Sequence, residues 1–270
     1  MDQTPRRMRI HHLAQAKARG DKLAMLTAYD AVTARIFDAA GVELLLVGDS
    51  VGNTMLGYTT TLPVTVEQML VAARAVAGAV QRALVVVDLP FGSYEAGPGQ
   101  ALATGTRLMK DAGVAAVKLE GGVRVAAQVR ALTDAGIPVV GHLGYTPQSE
   151  HRLGGPRVQG RGDQAVDALR TDAAALVEAG AVAIVLEMVP TGVAAELTAM
   201  VPVPTIGIGA GPHCDGQVLV WVDMAGMGDW SPRFARRFGE IGQALAQATR
   251  EYVDEVHAGT FPDEAHSFAQ

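Results

Sequence analysis

Short apolar runs rich in Val, Ile and Leu recur along the chain and alternate with longer, Ala-rich stretches. Runs of this length and composition are typical of parallel strands that are buried on both faces. We predict such strands at 23–28, 44–48, 84–89, 115–119, 138–142, 182–187 and 203–207. An eighth strand has a weaker pattern and is placed around 217–223.

The stretches between these strands are long enough to form crossover helices. They span 31–40, 66–79, 100–112, 123–135, 163–179 and 192–200, and a further helix is predicted over 232–256. Several end in Ala-Gly, where glycine can take the left-handed conformation that caps a helix; these glycines are Gly41, Gly113, Gly136 and Gly180. The repeated strand–helix unit predicts an α/β fold, a (β/α)8 barrel of the TIM type.

Length and composition favour a single domain. The chain has 270 residues, 49% of them hydrophobic, and single barrels of roughly 250 residues are common. We predict one barrel domain over 1–270, with an N-terminal arm at 1–22 and a polar C-terminal tail at 257–270. No apolar run reaches the roughly 18 residues that cross a bilayer, and the start lacks the apolar segment of a signal peptide. We therefore expect a cytoplasmic protein without a membrane partner.

Charge and cysteine content narrow the function further. The formal net charge is -6, and no basic stripe of the kind that follows a phosphate backbone is present, which argues against nucleic acid as a partner. Cys214 is the sole cysteine, so no internal disulfide can form, and we expect a bystander thiol. His11 and His12 lack the spacing of a zinc site and are expected on the surface of the arm.

Polar residues close five of the predicted strands. They are Asp49 and Ser50, Asp88, Lys118 and Glu120, His142, and Glu187. In a barrel the catalytic groups stand at these carboxyl ends. Any single one could instead be a helix N-cap or a solvated strand end. Four carboxylates at one mouth, however, would repel one another unless a cation compensated, and hard oxygen ligands suit Mg²⁺.

Two glycine-rich segments accompany these strand ends, GDSVG (48–52) and GIGAG (207–211). They leave backbone amides uncovered by side chains. The second segment lacks the G-x-G-x-x-G spacing of a dinucleotide site, and Pro212 follows it directly. A phosphate cradle at 209–211 remains an alternative use of this segment.

Ten sequence blocks, in this order, resemble those of the ketopantoate hydroxymethyltransferase family. They are TAYD (27–30), LVGDSVG (46–52), GYTTTLPVTVEQM (57–69), DLPFGSY (88–94), VKLEGG (117–122), GHLGYTPQS (141–149), QGRGD (159–163), VLEMVP (185–190), IGIGAG (206–211) and DGQVLVWVD (215–223), and the ending EAHSF (264–268) is also similar. Each block alone is weak evidence for the family, but the ordered set is highly specific to it.

The resemblance implies a barrel of the phosphoenolpyruvate/pyruvate superfamily, assembled as a homo-oligomer, typically a decamer of two pentamer rings. It implies transfer of a hydroxymethyl group from 5,10-methylenetetrahydrofolate, the co-substrate, to 3-methyl-2-oxobutanoate. The products would be 2-dehydropantoate and tetrahydrofolate, in pantothenate biosynthesis.

The resemblance also implies roles for individual residues. Asp49 and Asp88 match Mg²⁺ ligands that also touch the substrate, and Glu120 matches a third metal-side carboxylate, either direct or through water. Ser50 and Lys118 match contacts to the keto acid. For Lys118, a structural pair with Glu120 is the alternative.

Glu187 resembles the family's proton acceptor and follows an apolar run, so we expect it to be the general base that removes the C3 proton. His142 matches a substrate-pocket histidine, for which a catalytic role and a structural hydrogen bond are both open.

Two other functions compete with the transferase. A carbon–carbon lyase or phosphonomutase of the same superfamily would share the barrel and the carboxylates, but those enzymes generally use a mobile-loop cysteine, and Cys214 follows the seventh strand instead. A non-catalytic, metabolite-binding barrel is the second competitor, because a fold alone does not define a function.

Overall fold

The computed structural model describes residues 7–268, and its strands form one closed barrel in which each strand pairs with the next in chain order. All neighbouring strands are parallel. The strands are β1 (Leu23–Thr27), β2 (Leu44–Val47), β3 (Leu84–Asp88), β4 (Ala116–Glu120), β5 (Val139–Gly144), β6 (Ala183–Glu187), β7 (Thr205–Ile208) and β8 (Gly216–Leu219). The predicted (β/α)8 barrel is confirmed.

Eleven α-helices are present among the described residues, including the six predicted between 31 and 200. They are α1 (Ile10–Arg19), α2 (Ala31–Ala39), α3 (Val51–Thr54), α4 (Val66–Ala79), α5 (Pro98–Ala112), α6 (Ala126–Asp134), α7 (Glu150–Leu153), α8 (Asp163–Glu178), α9 (Thr191–Met200), α10 (Trp221–Ala225) and α11 (Ile241–Ala258). The four glycines predicted to follow helices all have positive φ, as a left-handed cap requires.

Two predicted elements near the C-terminus differ from the structure. Strand β8 ends at Leu219, because α10 begins at Trp221 within the stretch predicted as strand. The helix predicted from 232 begins only at Ile241. The side chain of Arg237 donates hydrogen bonds to the carbonyl of Gly228 and to Ser231 Oγ, which stabilises the preceding residues as a loop.

Alternate residues of each strand fill the barrel interior, as the two-residue period of a strand requires. Leu84 and Val86 of β3, Val140 of β5 and Val185 of β6 belong to one buried cluster. The next inward position along β3 is Asp88, along β5 it is His142, and along β6 it is Glu187. The polar strand ends are thus the top layer of the same interior.

The amino-terminal end of the barrel is closed by α1. Leu13 and Ala16 of this helix are buried in the interior cluster, and Lys17 Nζ lies 2.8 Å from Asp215 Oδ2. The segment predicted as an N-terminal arm thus contains a helix that packs on the barrel interior, with the partly buried Met8 and Ile10 also packed against the cluster. His11 is exposed, as expected, whereas His12 is half-buried.

Two compact units divide the chain, the first ending at Leu219 and the second beginning at Val220. A single domain over 1–270 therefore stays a prediction. In the tail predicted as polar, a short 3-10 turn covers Glu264–His266, while 1–6 and 269–270 lie outside the described residues. No helix within 7–268 has the length and apolar content needed to cross a membrane.

Candidate active site

The strand register sets the first neighbours in the site. Asp88 is the Cα partner of Lys118 across β3 and β4, and Glu120 is the partner of His142 across β4 and β5. Asp49 follows β2 by two residues. All five side chains are buried. Buried charges are costly unless they are paired or hold an ion, so a cluster of this kind requires compensation from within.

Lys118 supplies part of that compensation. Its Nζ lies 2.7 Å from Asp88 Oδ1 and 3.4 Å from His142 Nδ1. Burial opposes the charged form, but Asp88 and Glu120 raise the pKa of Lys118 above its ordinary value, so the ammonium is kept. Lys118 therefore pairs directly with Asp88, and the alternative of a simple pair with Glu120 is not what the geometry favours.

His142 lies between two carboxylates. Its Nδ1 is 3.3 Å from Glu120 Oε1, and its Nε2 is 3.1 Å from Glu187 Oε2, the latter at an angle too bent for a good hydrogen bond. Burial and the nearby Lys118 act to lower the pKa of His142, but the contacts with Glu120 and Glu187 outweigh them and raise it to about 9. These two carboxylates therefore favour the protonated form of the ring.

Asp49 is a carboxylic acid whose charged form the site disfavours. Burial, followed by repulsion from Asp88 and Glu120, raises its pKa to about 7. Its backbone N–H donates to Asp88 Oδ2 at 3.0 Å, which fixes the two acids side by side. A site in which carboxylates disfavour one another's charge is one that a bound cation would stabilise.

The acidic residues fit a Mg²⁺ ion as a two-carboxylate site. Asp88 Oδ1 is buried and faces the Lys118 ammonium at 2.7 Å, so this carboxylate is already placed to bind positive charge. Among residues 7–268, no three His, Cys, Asp or Glu side chains form a ready-made metal shell. Mg²⁺ commonly binds one or two carboxylates and keeps several waters. Asp49 and Asp88 match that pattern, whereas Glu120 is held by His142 and a backbone N–H.

Ser50 lies beside Asp88, across the space next to Gly48. Its Oγ lies 2.8 Å from the hydroxyl of Tyr29, in the loop after β1. A Cβ placed on Gly48 would be 2.8 Å from Ser50 Oγ and 3.5 Å from Asp88 Oδ2. Glycine at this position therefore keeps open a small space between the serine and the aspartate.

Sequence reasoning missed Gln148 and Tyr94 as parts of the site. Both are buried, and the Tyr94 hydroxyl donates to Gln148 Oε1 at 2.6 Å. The amide of Gln148 in turn donates to Asp49 Oδ2, and its backbone N–H donates to Glu120 Oε2. Both residues lie inside the family-like blocks around 88–94 and 141–149, which was the available signal, but neither stands at a strand end.

Cys214 lies at the opposite end of the barrel. Its carbonyl oxygen accepts a hydrogen bond from Lys22, which precedes β1, and the thiol is buried and free. Burial raises the pKa of the thiol, which makes it a poorer nucleophile. Gly209 and Gly211 after β7 have positive φ, so this loop depends on glycine; its use as a phosphate cradle remains an untested alternative.

Solved structures share this fold. Phosphonopyruvate hydrolase in complex with oxalate and Mg²⁺ aligns with a TM-score of 0.62 at 14% identity, covering 96% of this chain and 93% of that one. A 2,3-dimethylmalate lyase of the phosphoenolpyruvate mutase/isocitrate lyase superfamily gives 0.60 at 20% identity, covering 97% and 93%. The barrel therefore has the fold of that enzyme superfamily.

The sequence comparison is more specific. The ketopantoate hydroxymethyltransferase profile matches residues 7–264. A 3-methyl-2-oxobutanoate hydroxymethyltransferase of Acidothermus cellulolyticus is 59% identical over 98% of this chain and 97% of its own. One of Mycobacterium avium is 58% identical, over 97% and 92%. The chain belongs to the ketopantoate hydroxymethyltransferase family, and the resemblance inferred from its sequence blocks is confirmed.

Proposed function

We propose that this enzyme transfers a one-carbon unit from 5,10-methylenetetrahydrofolate to C3 of 3-methyl-2-oxobutanoate. One water is consumed and supplies the hydroxyl, so the products are 2-dehydropantoate and tetrahydrofolate. The observation that carries the proposal is the meeting, in one buried layer, of a base-like Glu187 with the Lys118–Asp88–Asp49 cluster. The reaction is inferred from the family, and the residues of this layer have the chemical groups that the reaction needs.

Asp49 and Asp88 would hold Mg²⁺, with Glu120 beside them on the metal side. When bound, the ion supplies a Lewis acid that favours negative charge on the keto oxygen of the substrate. Lys118 is a fixed ammonium in the same layer and is suited to the substrate carboxylate or to the developing oxyanion. Ser50 Oγ provides a further hydrogen bond toward the keto acid.

Glu187 would accept the C3 proton. The electron pair of the broken C–H bond forms the C2–C3 double bond of an enolate, whose charge falls on the keto oxygen. His142 lies between Glu187 and Glu120, whose carboxylates favour its protonated form. We assign it to positioning the Glu187 carboxylate, with Glu120 on its other side.

Water adds to the methylene carbon of the folate, both carbon–nitrogen bonds break, and their electron pairs and the two water protons pass to the folate nitrogens, which leaves the carbon at the level of formaldehyde. The enolate carbon then forms a bond to that carbon, and the electron pair of its C=O bond passes to the oxygen, which is protonated to give the new hydroxyl. The carbon chemistry belongs to the folate, and the protein positions the two partners. We extend the proposal to a cytoplasmic location and to a homodecamer, because the family resemblance implies the assembly.

Two alternative functions are disfavoured by particular observations. A lyase that uses a cysteine acid near the substrate does not fit, because Cys214 lies at the amino-terminal end of the barrel. A purely binding barrel has no need of the Glu187–His142–Glu120 arrangement, in which two buried titratable groups meet the half-buried Glu187 at a cost to stability.

Release of tetrahydrofolate from methylenetetrahydrofolate and 3-methyl-2-oxobutanoate, with and without Mg²⁺, tests the proposal. We expect turnover that depends on both substrates and is lost when the metal is chelated. Cleavage of a C–C bond in a 2-alkylmalate under the same conditions would support the lyase. Binding of the keto acid without any turnover would support the non-catalytic barrel.

A further inference from the structure

A cavity of about 500 Å³ lies beside the carboxyl ends of β4 and β5. Its walls come from the loop after β4, from the end of β5 with the loop that follows, and from the first half of α8. This volume is in the range of small-molecule sites, roughly 300–1,000 Å³. None of the side chains assigned to the keto acid lines it. The cavity is therefore a separate space next to the proposed reaction centre.

The cavity borders the backbone of the catalytic layer. Gly121, in one wall, directly follows Glu120. Gly144, in another wall, has a φ of +91° and packs so closely that a Cβ would overlap the carbonyl oxygen of Glu187. Tyr145 N–H donates to that same carbonyl. The cavity thus lies against backbone that directly contacts the proposed base.

The polar groups of the cavity are of two kinds. Asp172 is half-buried, and its Oδ1 accepts the N–H of Val123 at 2.8 Å, while no described residue donates to its second oxygen. Arg124 is held by Ser149 Oγ and the Glu120 carbonyl, both at 3.2 Å. Arg152 is exposed and forms no ion pair with any residue between 7 and 268. The cavity therefore offers one carboxylate and two cations.

Apolar side chains also line the cavity. They are Leu143, Leu153 and Leu169. A small keto acid needs neither this volume nor this apolar area. A larger ligand with a flat ring, a hydrogen-bond-donating edge and an anionic end would match all three features.

We infer that this cavity binds the tetrahydrofolate portion of the co-substrate. The inference rests on the proposed function and adds a location to it. The aminopyrimidinone edge of a pterin carries N–H donors, which the open oxygen of Asp172 can accept as charge-assisted hydrogen bonds. The glutamate carboxylates match Arg124 and Arg152, which lie on a more exposed side of the cavity.

Filling the cavity is the first test. Ala168 lines it from α8 and is exposed, so Ala168→Phe adds a ring without disturbing a packed core. Ala174→Phe adds the same ring at an exposed position of the same helix outside the cavity and is the matched control. We expect Ala168→Phe to weaken tetrahydrofolate binding at least about tenfold by calorimetry and to raise the KM for methylenetetrahydrofolate accordingly, with the control close to the parent.

Removing the carboxylate is the second test. Asp172→Asn preserves the shape and the acceptor for Val123 but lacks the charge, and Asp167→Asn on the same helix is its control. We expect an affinity loss of about tenfold for Asp172→Asn. The affinity for 3-methyl-2-oxobutanoate, measured on the same samples, separates a local loss from a damaged fold.

Unchanged tetrahydrofolate affinity in both Ala168→Phe and Asp172→Asn would overturn the inference, and turnover by the parent would then still support the proposed function. If the parent releases no tetrahydrofolate at all, the proposed function fails and this inference fails with it. A selective loss of folate affinity in both variants, with both controls unaffected, would support the assignment.

Discussion

The side-chain amide of Gln148 donates a 2.9 Å hydrogen bond to Asp49 Oδ2 and a 3.0 Å bond to the carbonyl of Leu89. The Tyr94 hydroxyl fixes the orientation of that amide from its oxygen side. One loop residue therefore sets the direction of the carboxylate assigned to Mg²⁺. Partners of this kind hold a metal ligand in place without touching the metal.

Replacing that amide should weaken the metal site. We expect Gln148→Met, which keeps the size but not the hydrogen bonds, to lower Mg²⁺ affinity roughly 10–100-fold. Titration calorimetry on the metal-free protein measures this directly, with the exposed Gln164→Met as control. An unchanged dissociation constant in a folded Gln148→Met variant would mean that Asp49 does not bind the metal.

The two aspartates should each be essential. We expect Asp49→Ala and Asp88→Ala to abolish Mg²⁺-dependent turnover, because a two-carboxylate site loses half of its protein ligands in either variant. Asp111→Ala, an exposed carboxylate near Arg107, is the control. Undiminished keto acid affinity in both variants at saturating Mg²⁺, measured by calorimetry, would count against the assignment.

The role of Glu187 can be separated from metal binding. The enzyme should exchange the C3 proton of 3-methyl-2-oxobutanoate with solvent deuterium in the absence of folate, since enolate formation comes first. Glu187→Gln keeps size and hydrogen bonding but accepts no proton, so it should bind Mg²⁺ and keto acid yet lose exchange and turnover together. Proton NMR follows the C3 signal. Exchange at the parent rate would place the base elsewhere, with His142 the next candidate.

His142 should make the stability of the metal-free protein depend on pH. Its folded pKa of about 9 lies above the ordinary value of 6.5. Its stabilisation is therefore complete below pH 6.5 and is lost as the pH rises through about 9, a change of about 3 kcal/mol. Urea unfolding at several pH values should show this loss in the parent and not in His142→Asn. A parallel decline in both proteins would show that another group titrates there.

Cys214→Ser should leave turnover within about twofold of the parent, because the thiol lies at the far end of the barrel and no step uses a thiolate. A buried hydroxyl in its place should reduce the free energy of unfolding by about 1 kcal/mol. Both are measured on one preparation by assay and by urea unfolding. Loss of turnover in a folded variant would favour the lyase.

Local patterns were enough to predict the upper layer of the barrel. Asp88, His142 and Glu187 each end a run of buried apolar residues, and the two-residue period of a strand carries their side chains inward with the core. Because parallel strands of a barrel end at one rim, residues far apart in sequence could be expected to meet there.

The position of Gln148 and the docking of α1 depend on tertiary contacts, which local sequence patterns do not reveal. Gln148 reaches Asp49 only because the loop after β5 folds back over the mouth, and its own sequence neighbourhood resembles an ordinary turn. The docking of α1 rests on Ile10, Leu13 and Ala16, a pattern that an amphipathic helix on the surface would also show. In both cases the course of the chain is decided by its tertiary partners.

Closure of the barrel also bears on how the protein is made. Strand β1 pairs with β8, with Leu23 opposite Gly216, and Lys17 of α1 binds Asp215, 198 residues further along. During synthesis, β1 therefore leaves the ribosome long before β8, the second strand it pairs with, has been made. Until β8 is made, the nascent sheet has two unpaired edge strands, and α1 lacks its partner Asp215 at the amino-terminal end of the barrel. Unpaired edges favour association with other chains. We expect chains that stop short of Gly216 to depend on chaperones, however complete their catalytic layer.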